Sequence, residues 1–126
     1  MTLGYRHYRD GRGWERKAGY SRAVRRGPRI YVSGTTAADD SGDTYKQTLQ
    51  ALEHALAAVT ELGGTKLDVV RTRVMLAPDA DWEAAARAHV QLLGSVAPAN
   101  TMVYVGGLIG DGYLVEVEVE AEVESS

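Results

Sequence analysis

The side chains best suited to acid–base chemistry stand in the last strand-like segment of the chain. Residues 114–124 read LVEVEVEAEVE, so a glutamate occupies every second position from Glu116 to Glu124. This period of two is the repeat of a β-strand, and it predicts one face of carboxylates and one of small apolar side chains. A column of like charges repels itself unless cations lie beside it. Arg71 and Arg73, in the segment VVRTRV, have the spacing to be those cations.

The histidines, one serine and a glycine-rich loop are weaker candidates. His7, His54 and His89 lack the spacing of a zinc-binding helix, and the chain has no cysteine, so we expect neither a metal nor a cofactor. Ser33 ends a predicted strand with no base near it in sequence, which argues against a serine hydrolase. The glycines of residues 106–112 lead into a strand rather than a helix, which argues against a phosphate-binding loop.

Composition and charge restrict the class of protein. A chain of 126 residues that is 44% hydrophobic and 25% charged predicts one globular domain spanning residues 1–126. No apolar stretch is long enough to cross a membrane and no signal sequence is evident, so a cytoplasmic location is expected. The net charge of -3 argues against a nucleic-acid partner. We expect the basic residues near the N-terminus to neutralise acidic surface on their own or a neighbouring subunit. They are Arg6, Arg9, Arg12, Arg16, Lys17, Arg22, Arg25, Arg26 and Arg29.

Strands and helices alternate along the predicted domain. Helical segments have apolar residues at a spacing of three and four, and strands are rich in β-branched residues. The glycine-rich loop is predicted to join the last two strands in a closing hairpin. The first 18 residues lack clear periodicity and are expected to be a mobile arm or an edge strand. The predicted elements are a strand at 29–33, a helix at 43–62, a strand at 67–76, a helix at 81–93, and strands at about 101–105 and 113–123.

The pattern also predicts association with further copies of the chain. Two helices on one face of a sheet leave the other face, with its glutamates, uncovered. For so short a chain, a second copy of the same sheet is an economical cover. The sequence therefore predicts an α+β domain that forms a homo-oligomer with a small-molecule cleft between subunits.

Four separated segments resemble the RidA/YjgF family in order and spacing, over residues 19–123. They are GYSRAV at 19–24, RIYVSG at 29–34, the predicted helix with Gln47 and Thr48 followed by GGTKLDVVRTRV, and PANTMVYVGGLIGDGYLVEVEVEA at 98–121. The resemblance implies a chorismate-mutase-like (ferredoxin-like) mixed sheet with two helices on one face. It also implies a homotrimer around a central β-barrel, and hydrolysis of reactive 2-imino or enamine acids to 2-keto acids and ammonia.

The same resemblance implies a set of site residues. Glu116 matches a glutamate that lies at the family's cleft and can orient water, with a plain surface carboxylate as the alternative. Tyr20 and the pair Ser33 and Gly34 match positions that line the cleft, with simple core packing as the alternative for Tyr20. Asn100 stands after Pro-Ala, where the deaminating members have an arginine that binds the substrate carboxylate.

Asn100 leaves the activity open. An uncharged amide forms hydrogen bonds worth about 1 kcal/mol, against about 1.5 to 3 kcal/mol for charge-assisted ones, so imino acids should be poor substrates. Arg73 or Arg71, reaching from a nearby strand, could supply the missing charge, although pairing with the glutamates is the alternative we favour. Three functions remain: an imine or enamine hydrolase (deaminase), a non-catalytic trimer that binds a small carboxylate, and a ribonuclease or RNA-binding protein.

Overall fold

The strands form one mixed sheet. The structure is a computed structural model that describes residues 6–11 and 13–124. In this part of the chain the sheet order is β1-β2-β3-β6-β4-β5, and β4 and β5 are its one parallel pair. The elements are β1 (Arg6–Tyr8), α1 (Trp14–Ala18), β2 (Ala23–Arg26), β3 (Arg29–Thr35), α2 (Thr44–Glu61), a 3-10 turn (Lys66–Asp68), β4 (Val69–Leu76), α3 (Trp82–Leu93), β5 (Ala99–Tyr104) and β6 (Val115–Glu122).

Both long helices begin after an aspartate whose side chain caps the first turn. The Asp43 side chain accepts a hydrogen bond from the Lys46 backbone N–H at 2.9 Å, which satisfies a donor that has no partner within α2. The Asp81 side chain accepts in the same way from the second and third residues of α3. No helix in the described ranges is long and apolar enough to cross a membrane.

The predicted closing hairpin is wrong. β6 is antiparallel to both β3 and β4 and lies between them, whereas β5 pairs in parallel with the far side of β4. Residues 105–114 between β5 and β6 are longer than a typical hairpin loop of about 2 to 5 residues. In this central position Val115 and Val117, on the apolar face of β6, are fully buried.

Two strands near the N-terminus were not specified by the sequence analysis. β2 forms an antiparallel hairpin with β3, and β1 pairs with β2 at the edge of the sheet. The segment expected to be an arm or an edge strand therefore contains an edge strand at Arg6–Tyr8 and the short helix α1. The part of that expectation concerning residues 1–5 and 12 lies outside the described residues.

The two faces of the sheet differ as the period of two predicted. On one face, covered by α2 and α3, Val74 lies opposite Val117. On the other, Arg73 lies opposite Glu118, and its Nη1 donates a hydrogen bond to Glu118 Oε1. Arg71 lies opposite a further glutamate of β6. The arginines of β4 therefore stand beside the column of carboxylates and relieve its repulsion.

Part of the basic N-terminal region caps α2. Arg6 Nη2 and Arg25 Nη1 each donate a hydrogen bond of 2.8 Å to the backbone oxygen of Leu62, just after the helix. Cations at a helix C-terminus are favourable because the last carbonyls carry partial negative charge. The expected neutralisation of acidic side chains applies to Arg29, which lies 3.7 Å from Glu122.

Candidate functional site

A pocket opens on the carboxylate side of β6. Its volume is about 610 Å³, within the range of small-molecule sites. Its walls come from α1, from the residues just before β2, from the end of β3 and from the loop that precedes β6. The polar or close-approach positions in its lining include Glu15, Tyr20, Arg22, Gly34, Tyr113 and Glu116.

Glu116 lies against the backbone of β3 at Gly34. A Cβ atom added to Gly34 would overlap Glu116 Oε2 and stand 3.0 Å from its Cδ. The β3–β6 register shifts between Val32 and Thr35, so the strand bulges at this point and turns its backbone toward the carboxylate. Only glycine leaves room for this approach.

The electrostatic environment of Glu116 favours its protonated form. Partial burial raises the pKa of the Glu116 carboxyl, because the charged form loses contact with water. The charge of Arg22 opposes this shift in pKa and the charge of Glu118 adds to it. A carboxyl of raised pKa in a concave site is a candidate general acid or base.

Arg22 is a buried cation in this pocket. The residue is 7% exposed, its Nη2 donates a 2.5 Å hydrogen bond to the Gly34 oxygen, and its guanidinium carbon lies 5.6 Å from the centre of the Tyr20 ring. Its Nε is buried without a hydrogen-bond partner in the described part of the chain. From the sequence, Arg22 was recognised only as one of the basic N-terminal residues. The available signal was its spacing of two from Tyr20 in an extended segment that continues into β2, because residues two apart in extended chain point to the same side.

Three of the predicted site residues, Tyr20, Gly34 and Glu116, line this one pocket. Ser33 lies next to it, but its polar groups join β3 to the segment before β2. Its Oγ donates to the Ser21 oxygen at 2.7 Å, and its backbone N–H donates to the Arg22 oxygen at 2.9 Å. Ser33 therefore positions the bulge at Gly34.

Asn100 lies on the opposite face of the sheet. It pairs in register with Thr72, which in turn lies opposite Val119 on the helix-covered face. It lines a separate depression of about 350 Å³ beside α3, together with Trp82. One subunit alone therefore does not bring Asn100 and Glu116 to the same small ligand.

A hydrogen-bonded chain holds the Asn100 side chain. Its Nδ2 donates to Thr72 Oγ1 at 3.0 Å, and Thr72 Oγ1 lies 2.7 Å from His89 Nε2. Burial lowers the pKa of His89, so the imidazole is neutral at neutral pH. The contact with Thr72 therefore fixes the position of this imidazole on α3.

Arg73 pairs with a glutamate of β6, which is the role that the sequence favoured for it over binding of a ligand carboxylate. Its ion pair with Glu118 holds it on the open face of the sheet, where both side chains are about 40% exposed (40% and 39%). Within residues 6–11 and 13–124, no three His, Asp or Glu side chains group closely enough to hold a metal ion.

Solved structures of other proteins share this fold. The crystal structure of a member of the YjgF/YER057c/UK114 family from Mycobacterium tuberculosis matches with a TM-score of 0.88 and 40% identity, and the match covers 94% of this chain and 98% of that one. The YjgF gene product of E. coli matches with a TM-score of 0.78 at 22% identity, over 97% of this chain and 98% of that one. At that identity the second likeness concerns the fold alone.

Sequence comparison agrees with the structural match. An uncharacterized protein of Streptomyces coelicolor is 43% identical over 121 residues, which is 92% of this chain and 90% of the relative. The family model described as Endoribonuclease L-PSP matches residues 14–123. The chain therefore belongs to the YjgF/UK114 family, also called RidA/YjgF, which that model represents.

Proposed function

We propose that the pocket around Glu116 binds a small carboxylated imine or enamine and hydrolyses it to a keto compound and ammonia. The observation that supports this most is a carboxyl of raised pKa, Glu116, that shares a pocket of about 610 Å³ with the buried guanidinium of Arg22. This combination offers a proton acceptor, a cation and a concave surface within reach of one small molecule.

The proposed reaction uses Glu116 twice. In its ionised form Glu116 takes a proton from a water molecule as the water oxygen bonds to the carbon of the C=N group, whose π electrons move to nitrogen. The protonated Glu116 then returns that proton to the nitrogen, which gives a carbinolamine. In a second relay Glu116 takes the proton of the carbinolamine hydroxyl as the C=O bond forms, and passes it to the nitrogen as the C–N bond breaks, so that ammonia leaves. Tyr20 contributes an apolar wall with a polar tip, and Gly34 lets the carboxylate lie against the backbone.

We further propose that the working unit is a homotrimer whose clefts lie between subunits. Asn100 and Glu116 are on opposite faces of the sheet in one subunit, so a neighbouring copy would have to supply Asn100 to complete a shared cleft. The open face with Glu118 and Arg73 offers a surface for such a neighbour. Light scattering tests this point: a monomer mass at every concentration, together with full activity, would contradict it.

The direct test is release of ammonia and keto acid from freshly generated 2-iminopropionate. We expect Glu116→Gln to lower kcat/KM about 100-fold or more, since an amide cannot carry the proton. Glu124→Gln, an exposed glutamate from the same column, is the matched control and should keep the wild-type rate. Equal activity of the wild type and Glu116→Gln would refute the proposed role of Glu116.

Two other functions are distinguished by further measurements. Binding of a keto acid without turnover of any imine would identify a binding module, which the uncharged Asn100 favours. An RNA-directed activity is suggested by the family description and by relatives described as putative endoribonucleases. Arg6 and Arg25 donate to a backbone oxygen within the subunit, and the chain has a net charge of -3, so we expect RNA binding to be weak and to disappear at physiological salt.

A further inference from the structure

We propose that Arg22 binds the carboxylate of the ligand in this pocket, and so provides from the start of β2 the charge that Asn100 lacks. The inference rests on the proposed function, because it names the group that the same site holds. It assigns substrate selection to a residue that precedes the first strand of the β2–β3 hairpin, rather than to the Pro-Ala segment at the start of β5.

The hydrogen bonding of Arg22 is incomplete in a way that suits a carboxylate. Its bond to the Gly34 oxygen and its position over the Tyr20 ring fix the plane of the guanidinium. Its Nε remains buried without a partner among the described residues. Buried N–H groups are nearly always paired, and an arginine presents its donors in a fork that matches a carboxylate. Arg22 lines the pocket, so a ligand carboxylate there can accept from its guanidinium. Nε itself would gain an acceptor if the side chain shifts toward the ligand on binding.

The other charges of the pocket leave Arg22 available for an anion. Glu15 is buried, but its two oxygens accept from the backbone N–H groups of Asp10 and Gly11 at 3.1 and 3.2 Å. Glu116 is the acidic neighbour whose charge acts on Arg22, and burial favours its protonated form. Arg22 would then hold the charge of the ligand, and Glu116 would exchange the proton during the reaction.

The test compares a charged ligand with its neutral analogue. Pyruvate and pyruvamide have nearly the same shape, and their dissociation constants can be measured by calorimetry or thermal shift on the full chain. We expect the wild type to prefer pyruvate, and Arg22→Gln to reduce that preference about 10-fold to 100-fold. Arg25→Gln removes an arginine that caps α2 away from the pocket, so it should lower stability and leave the preference unchanged.

Arg22→Lys keeps the experiment decisive if the glutamine variant does not fold. Lysine retains the charge but not the planar fork, so we expect a preference intermediate between those of the wild type and a neutral variant. The proposal would be overturned if a folded Arg22→Gln, or Arg22→Lys, preferred pyruvate over pyruvamide as strongly as the wild type does. It would also be overturned if the wild type did not distinguish the two ligands. An Arg22-dependent preference without turnover of any imine would refute the hydrolase and leave this inference standing.

Discussion

Gly34→Ala should separate activity from stability in this protein. Gly34 is outside the positive-φ region, so alanine can adopt its backbone conformation without strain. The new methyl would occupy the space of Glu116 Oε2 and stand 3.0 Å from Cδ, which is closer than ordinary contact. The obstructing atoms are the free end of a flexible side chain that borders a pocket. We therefore expect Glu116 to move rather than β3.

The size of the effect follows from that displacement. A shift of about 1 Å restores normal contact, and a misplacement of about 1 Å in a catalytic group lowers the rate on the order of 100-fold. This corresponds to about 2.7 kcal/mol of transition-state stabilisation. The free energy of unfolding should change by less than about 1 kcal/mol, since alanine restricts the unfolded chain and offsets the cost of moving the carboxylate.

The assay measures kcat/KM on 2-iminopropionate together with the urea midpoint. Gly106→Ala is the matched control, because a Cβ atom there meets nothing within 4 Å and its φ is not positive. We expect the control to keep both quantities. Two results would refute the reasoning: full activity in Gly34→Ala, or a loss of activity explained by unfolding.

Three further changes test other parts of the structure. Asn100→Arg should raise kcat/KM on imino acids by about 10-fold to 100-fold in the Arg22→Gln background. The gain should be smaller in the parent, because Arg22 already binds the carboxylate there. Equal gains in both backgrounds would contradict this prediction. Burial lowers the pKa of His89 below 6.5 in the folded state, so the unfolded state binds more protons below that pH and stability should fall as pH drops from about 7.5 to about 5.5. In urea titrations, the free energy of unfolding of His89→Gln should decrease less over this pH range than that of the wild type. The same decrease in both proteins would contradict the assignment to His89. Gln47 is 1% exposed, donates to two loop carbonyls before α2 and accepts from the backbone N–H that precedes β6, so Gln47→Leu should lower the free energy of unfolding by about 2 to 4 kcal/mol. The exposed Gln91→Leu should have little effect in the same urea titration.

The parts of the fold that could be predicted are those with local causes. The cap at Asp43 and the alternation from Val115 onward are visible within a few residues of sequence. The position of β6 is different, because strand order depends on which distant edges pair. Its valines fit a central strand or one face of an edge strand equally well until the partners are known.

The candidate site was partly visible for the same reason. The resemblance named Tyr20, Gly34 and Glu116, and the fold brings all three to one pocket. Arg22 was missed because its burial depends on the packing of α1 and the β3 bulge around it. Asn100 was placed with these residues, but the register puts it on the other face, which no spacing along the chain reveals.

The central position of β6 has a consequence for synthesis of the protein. Without β6, the sheet is two separate pieces, β1-β2-β3 and β4-β5, whose inner edges have no partner. A nascent chain that has emerged only through residue 114 therefore exposes two unpaired strand edges, which are templates for aggregation. The pairing of β6 with β3 also closes a long stretch of chain, so it is expected to be slow. We therefore expect the two pieces of the sheet to join only after residues 115–122 are available to pair with both edges.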